Sequence, residues 1–301
     1  MELTAAWRRL PAFVALETLA VETGVRRGAS VQLDDSYFRG MAPVLRAADR
    51  SDLAERRDAL ERSRRLFDDI SVEMETVSRS SLREASAKLH GVFQELPEVV
   101  FLRSAFPGEA FVVPEWLRTR ADGRLNWGAR LYFFRDGEAP VPTDLVDRNI
   151  DAVLDDEMAP FEMHRGDLHG YPRCCVEAFT DRPEDGSPPE WRSVASLAER
   201  VREQRLGERS ASVRDIVPAV LDDPRSRAFF AREFFPEPDC ETAAERGRAV
   251  FEALADPLPR TLVEDYFRLN FAYCFAVADA LTGGGRERPA VGDLGVEHAL
   301  L

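Results

Sequence analysis

The residues best able to do chemistry are crowded into one short stretch. It runs His164-Arg165-Gly166-Asp167-Leu168-His169-Gly170-Tyr171-Pro172-Arg173-Cys174-Cys175-Val176-Glu177-Ala178-Phe179. A third cysteine closes Phe234-Phe235-Pro236-Glu237-Pro238-Asp239-Cys240, and the fourth, Cys274, lies further along. Imidazole nitrogen and thiolate sulfur together are the ligand types of zinc and iron. A thiolate is also a nucleophile and a redox centre in its own right. In a reducing compartment these cysteines are free thiols, metal ligands or core residues rather than structural disulfides.

Local chemistry separates them. Gly170-Tyr171 reads as a loop, and Pro172 suits a first helical turn, where its missing N–H costs nothing. Cys174 and Cys175 then occupy that turn, close to unpaired backbone N–H groups and the positive end of the helix dipole, which favours thiolate over thiol. Cys175 shares a face with Val176 and Phe179 and reads as a small core residue. Cys174, about 100° round the helix, is the better candidate for chemistry. Asp239 can cap a second helix, with Cys240 at its first position and Ala243, Ala244, Gly247 and Val250 behind it. Two helix starts that each present sulfur would make a thiolate or metal site if they met. Cys274 sits with Phe267, Asn270 and Val277 at spacings of 3, 4 and 3, a core position; Asn270 is a polar group on that stripe in need of a partner.

The string from His169 to Phe179 resembles the signature of an archaeal, haloarchaeal-like family of unknown function whose members carry Gly-Tyr-Pro-x-Cys-Cys-x-x-x-Phe. That family has a later Pro-Cys-x-Pro-x-Cys element leading into a helix; here its last cysteine corresponds to Cys240, and its first is absent. The resemblance implies a site without supplying a reaction.

Three uses of the cluster stand open. In the first, zinc or iron is bound by ligands drawn from His164, His169, Cys174, Cys175 and Cys240; His164, His169, Cys174 and Cys240 alone would make an N₂S₂ set. None of the spacings is a CxxC or HxxxH pattern. In the second, Cys174 is a metal-free nucleophile or redox thiol with His169 or His164 as its base. Tyr171 and Arg173 flank either site and could contact an anionic ligand at the helix start. In the third, the turn is packing only. The functional expectation is a metal- or thiol-dependent enzyme acting on a small molecule; its alternative is a non-catalytic metal- or ligand-binding or regulatory protein with a structural Cys pair. The chain has no GxxxxGK[ST], GxGxxG, GxSxG or HExxH motif, and no role falls to His90 or His298.

The elements that must position these residues are mostly helical. Residues 1–95 read as helix: Leu53, Leu60, Phe67, Ile70, Met74 and Val77 recur in steps of 7, 7, 3, 4 and 3, one apolar stripe. Leu16–Val21 or Met41–Leu45 could supply its packing partner. Residues 96–141 change character. Val99–Leu102, Phe111–Val113 and Ala129–Phe134 are β-prone runs punctuated by Pro107-Gly108, Asp122-Gly123 and Asp136-Gly137, which predicts a small antiparallel sheet with Trp116 and Trp127 on one face. Residues 142–285 return to helix and carry the Cys/His motif; Gly283-Gly284-Gly285 stops the last helix before a flexible tail over 286–301. The fold class expected is α+β, predominantly α-helical, with a small antiparallel sheet in the middle, in one or more domains.

Composition narrows the setting. The 301 residues are 45% apolar and 31% charged, a globular balance. Asp and Glu number 54 against 40 basic residues, a net charge of −14, and Lys88 is the only lysine. An acidic, arginine-rich surface nearly free of lysine resembles the proteins of salt-in halophiles, whose carboxylates hold water when molar salt screens repulsion. The charge opposes non-specific nucleic-acid binding and anionic membranes. No apolar run approaches the roughly 18 to 20 residues of a membrane span. Residues 1–24 lack the order of a signal peptide. Cytoplasmic localisation is the expectation.

Overall fold

A computed structural model describes Leu10, residues 12–33, 77–118, 125–181, 187–201 and 223–281, together with Glu203 and Val220. Among these residues there are nine α-helices and one three-stranded antiparallel sheet, the α+β class expected, with helix predominant. The contacts divide the chain into two units. One holds the residues up to Glu22 and Arg27–His164; the other holds Thr23–Arg26 and the residues from Arg165 onward.

The first unit starts with α1 (Ala12–Glu22) and strand β1 (Gly28–Leu33), followed by α2 (Arg79–Phe93), α3 (Pro97–Ala105), β2 (Glu109–Arg118), β3 (Leu125–Phe134) and α4 (Pro142–Leu154). The strand order is β1-β3-β2, so the central strand is the last in sequence. Trp116 of β2 lies opposite Trp127 of β3, and opposed residues of an antiparallel pair share a face. Both belong to the core of this unit with Leu82, Leu89, Phe93, Val112, Leu131, Phe133 and Ile150, and Phe93 stacks on Trp127 at 5.5 Å. The opposite face carries the stacked rings of Phe111, Tyr132 and Phe134 and the ion pair of Arg130 with Glu115.

β2 has a free edge, and α4 covers it. The side chain of Asn149 accepts from the Trp116 N–H at 2.7 Å and donates to the Trp116 carbonyl at 3.0 Å. An amide side chain thereby supplies the two hydrogen bonds a fourth strand would have supplied. The Trp116 indole N–H donates to Ser86 of α2 at 2.9 Å. Two exposed ion pairs, Arg79–Asp151 and Arg83–Asp147, each 2.6 Å, join α2 to α4. The start of α2 is a reciprocal cap: the Ser81 N–H donates to the Ser78 hydroxyl and the Ser78 N–H to the Ser81 hydroxyl.

Two segments depart from the sequence expectation. Val99–Leu102, expected as a strand, lies inside α3. Pro97 at its first turn starts the helix, and Val99, Leu102 and Phe106 are buried while Val100 is 54% exposed, a helical spacing that four apolar residues in a row conceal. Within the stretch read as helix, Gly28–Leu33 is a strand: Ala29 and Val31 are buried on one face, and Ser30 and Gln32 alternate with them. Leu53–Met74, Met41–Leu45, Asp122-Gly123, the triple glycine and the tail over 286–301 lie outside the described residues. Val77 stands exposed just before α2.

The second unit contains the end of α5 (Ala159–His169), then α6 (Arg173–Thr180), α7 (Pro189–Val201), a 3₁₀ turn (Pro224–Ala228), α8 (Glu241–Ala255) and α9 (Arg260–Leu281). The division between the units falls within α5, between His164 and Arg165. A core of Val194, Leu197, Phe229, Phe271, Cys274 and Phe275 joins α7 to α9. No helix among the described residues is long and apolar enough to cross a membrane.

Candidate metal centre

Each residue of the Gly-Tyr-Pro-Arg-Cys-Cys string has a task that its chemistry explains. Gly170 has φ +69°, a conformation that costs a residue with a Cβ, and it ends α5. The Tyr171 N–H donates to the Gly166 carbonyl at 2.9 Å and the Gly170 N–H to the Asp167 carbonyl at 3.2 Å, the paired closure of a helix by glycine. Tyr171 packs against Phe234 at 4.5 Å, Phe230 at 6.0 Å and His169 at 5.2 Å. Pro172 is the N-cap of α6 and offers no side-chain cap. The chain thus ends one helix, docks a ring and starts another within four residues. Cys174 and Cys175 follow in the first turn of α6.

Cys240 arrives from the other side of the same ring cluster. Phe234 begins the loop into α8, Ser193 donates to the Pro236 carbonyl, and the Cys240 N–H donates to the Glu237 carbonyl at 3.2 Å. Phe179 of α6 stacks on Phe235 at 5.7 Å. The capping residue differs by one position from the sequence reading: Cys240 itself is the N-cap of α8, and Asp239 precedes it with φ +58°. The Asp239 carboxylate is engaged elsewhere, accepting from Arg200 at 3.0 Å and Arg225 at 3.1 Å. Two guanidiniums on one carboxylate hold a backbone conformation that aspartate tolerates better than most residues. α8 then packs tightly. A Cβ added at Gly247 would fall 1.7 Å from the Arg227 carbonyl oxygen of the 3₁₀ turn.

The two helix starts meet. The sulfurs of Cys174, Cys175 and Cys240 all lie within 4.8 Å of one another, a set of donors that could hold a metal ion. The Cys174 and Cys240 sulfurs are 3.4 Å apart. A single tetrahedral ion with metal–sulfur bonds of about 2.3 Å spaces its sulfurs about 3.8 Å apart, so the spread matches one ion. Cys175 is buried, Cys240 half-buried and Cys174 exposed, which leaves one edge of the cluster open to solvent. Neither α6 nor α8 has a side-chain cap at its N-terminus, so the positive ends of two helices face the sulfurs.

The thiols themselves run against the sequence expectation of a lowered pKa. Partial desolvation of its sulfur by the neighbouring groups first, then the hydrogen bond and charge shared with Cys240, raise the Cys174 thiol above its ordinary value. Burial raises Cys175 further, partly offset by a backbone hydrogen bond from Glu237. Charge on the Cys240 sulfur opposes a second thiolate at Cys174 or Cys175.

The other candidate residues are placed as follows. His169 is buried at the end of α5 against Tyr171 and is not a member of the three-sulfur set. His164 is half-buried and belongs with the first unit. Tyr171 is a packing element, with Arg26 over its ring at 5.8 Å. Arg173 is exposed and donates to Glu177 at 2.7 Å. Cys274 is fully buried, with its sulfur 3.5 Å from the carbonyls of Arg232 and Phe234. It therefore pins the loop that delivers Cys240. Asn270 is also buried, and both polar atoms of its amide lack a hydrogen-bond partner among the described residues. Sequence reasoning did not find Ser193, Arg200 or Arg225, which lie 43, 39 and 14 residues from the loop residues they bind, Pro236 for the first and Asp239 for the other two; no local spacing marks them. Compared with known proteins, the chain matches no family model, no curated protein and no solved structure.

Proposed function

We propose that this chain is a cytoplasmic metal protein of a halophile that binds one zinc or iron ion through Cys174, Cys175 and Cys240 and uses it on a small molecule. The observation that carries the reading is the gathering of three sulfurs within 4.8 Å by two helix starts distant in sequence. A divalent cation would offset the mutual repulsion of three thiolates, and the two helix N-termini would offset the remaining negative charge. Exposure of Cys174 favours a centre with an accessible edge, the arrangement of a catalytic rather than a closed structural site. The resemblance to the archaeal Gly-Tyr-Pro-x-Cys-Cys family and the acidic composition support the same assignment.

The test is metal content on untagged protein purified in molar KCl under reducing conditions. One equivalent of zinc or iron per chain is expected, lost in Cys174→Ser and Cys240→Ser. Wild-type protein with all four thiols reduced that takes up neither metal on reconstitution would overturn the reading.

A further inference from the structure

We infer that the cluster is also a peroxide-sensitive switch in which Cys174 and Cys240 close a disulfide and eject the metal; this regulation rests on the metal reading above. The three thiols are unequal in the two properties that decide such chemistry, access and partner geometry. Cys174 is exposed, Cys240 half-buried and Cys175 buried, so an oxidant from solvent meets Cys174 first.

Its partner is then fixed by geometry. Cys174 and Cys175 are consecutive residues of α6. Their Cα atoms are about 3.8 Å apart, below the roughly 4.4 Å minimum of ordinary disulfides, and their side chains diverge by about 100°. Cys240 comes from another helix, and its sulfur already stands 3.4 Å from that of Cys174. About 1.4 Å of approach makes the bond of about 2.05 Å.

The reaction balances with a two-electron oxidant of the peroxide class. The Cys174 thiolate attacks one peroxide oxygen, the O–O bond breaks, and the departing hydroxide takes a proton to give water. The Cys240 thiolate attacks the resulting sulfenic sulfur, the S–O bond breaks, and a second water leaves. Two thiolates, one hydrogen peroxide and two protons become one disulfide and two waters. Two of the three sulfur ligands are consumed, and Cys175 alone does not retain the ion. A thiol reductant restores the dithiol and the site.

The experiment uses the full chain, reduced and loaded with zinc, titrated with hydrogen peroxide. Zinc release is read by a chromogenic chelator, and disulfides are mapped by differential alkylation and mass spectrometry. One Cys174–Cys240 disulfide per zinc released, reversed by reductant, is expected. In Cys175→Ser the same disulfide is expected to form; in Cys240→Ser it is lost and peroxide drives Cys174 to sulfinic acid instead. Circular dichroism confirms that each variant is folded. Zinc that stays bound after peroxide, or release with a different disulfide or none, overturns the switch and leaves the metal centre standing. Reduced protein that takes up no zinc at the outset overturns the metal reading and the coupling with it, a separate result seen before any oxidant is added.

Discussion

At the scale of single residues, the candidate site depends on positions that carry no reactive atom. Gly247 is the sharpest case. Its Cα faces the backbone of the 3₁₀ turn so closely that a methyl group would stand 1.7 Å from one backbone atom and 2.5 Å from the next, both of Arg227. Backbone does not rotate aside as a flexible side chain does, so α8 must shift. Gly247→Ala is expected to cost about 3 kcal/mol, the upper end of overpacking penalties, measured as a lowered midpoint in urea unfolding. The same shift moves Cys240 at the head of α8, so metal affinity falls in whatever fraction stays folded; unchanged stability and affinity would show that the turn yields instead. The residues of the site were readable in the sequence to the extent that their order is local. Gly170, Pro172 and the Cys pair announce a helix end, a helix start and sulfur in the first turn. Asp239 was misread by one position because what it binds, Arg200 and Arg225, comes from distant parts of the chain. The raised thiols were missed for the same reason, since burial of the sulfurs, and after it their crowding by Cys240, exists only after folding.

At the scale of elements, α2, α4 and β2 form a three-part joint held by polar contacts laid over an apolar core. Asn149 and Ser86 fix Trp116 from two sides, and Arg83 and Asp147 meet through two hydrogen bonds of 2.6 Å each on the outside. The hydrogen bond from Arg83 is the largest influence on Asp147 and holds its carboxyl below the ordinary value near 3.8. A carboxyl depressed in the folded state adds stability above its unfolded pKa and loses it as pH falls through the folded one. Asp147→Asn is therefore expected to lower Tm at pH 7 by at most about 2 °C, because the pair is solvent-exposed. The difference from wild type should vanish at the acid end, below the folded pKa of Asp147. A gap that persists or widens there would assign the contribution to packing. Elements were legible where local signals agreed: the β-prone run Ala129–Phe134, closed by Asp136-Gly137, gave β3, and the spacing of Leu82, Leu89 and Phe93 accords with α2. Val99–Leu102 was not, because an unbroken apolar run has no period to read and the helix rests on Pro97 before it. Gly28–Leu33 was not, because six residues form a strand only where β3 is available to pair with them.

At the scale of the whole molecule, the governing quantity is a net charge of −14 carried by 54 acidic and 40 basic residues. Two electrostatic effects of salt oppose each other. Exposed pairs such as Arg79–Asp151, Arg135–Glu138 and Lys88–Glu84 weaken as salt rises, but each exposed pair contributes little to begin with. Repulsion among the unpaired carboxylates acts over the Debye length, about 10 Å at 0.1 M salt and about 3 Å at 1 M, and it grows with the square of the excess charge. Repulsion is the larger effect, and concentrated salt also strengthens apolar burial where the anion is strongly hydrated. Thermal unfolding followed by circular dichroism is thus expected to show Tm rising by roughly 10 °C between 0.1 and 2 M KCl. A level or falling Tm would mean that the acidic excess is locally paired rather than self-repelling, and the arginines would then reflect composition bias rather than adaptation to salt. The same titration bears on the proposed metal centre. Its three sulfurs are held by short-range packing of Tyr171, Phe230 and Phe234, which salt does not screen, so zinc occupancy should follow the folded fraction at every salt concentration rather than ionic strength itself.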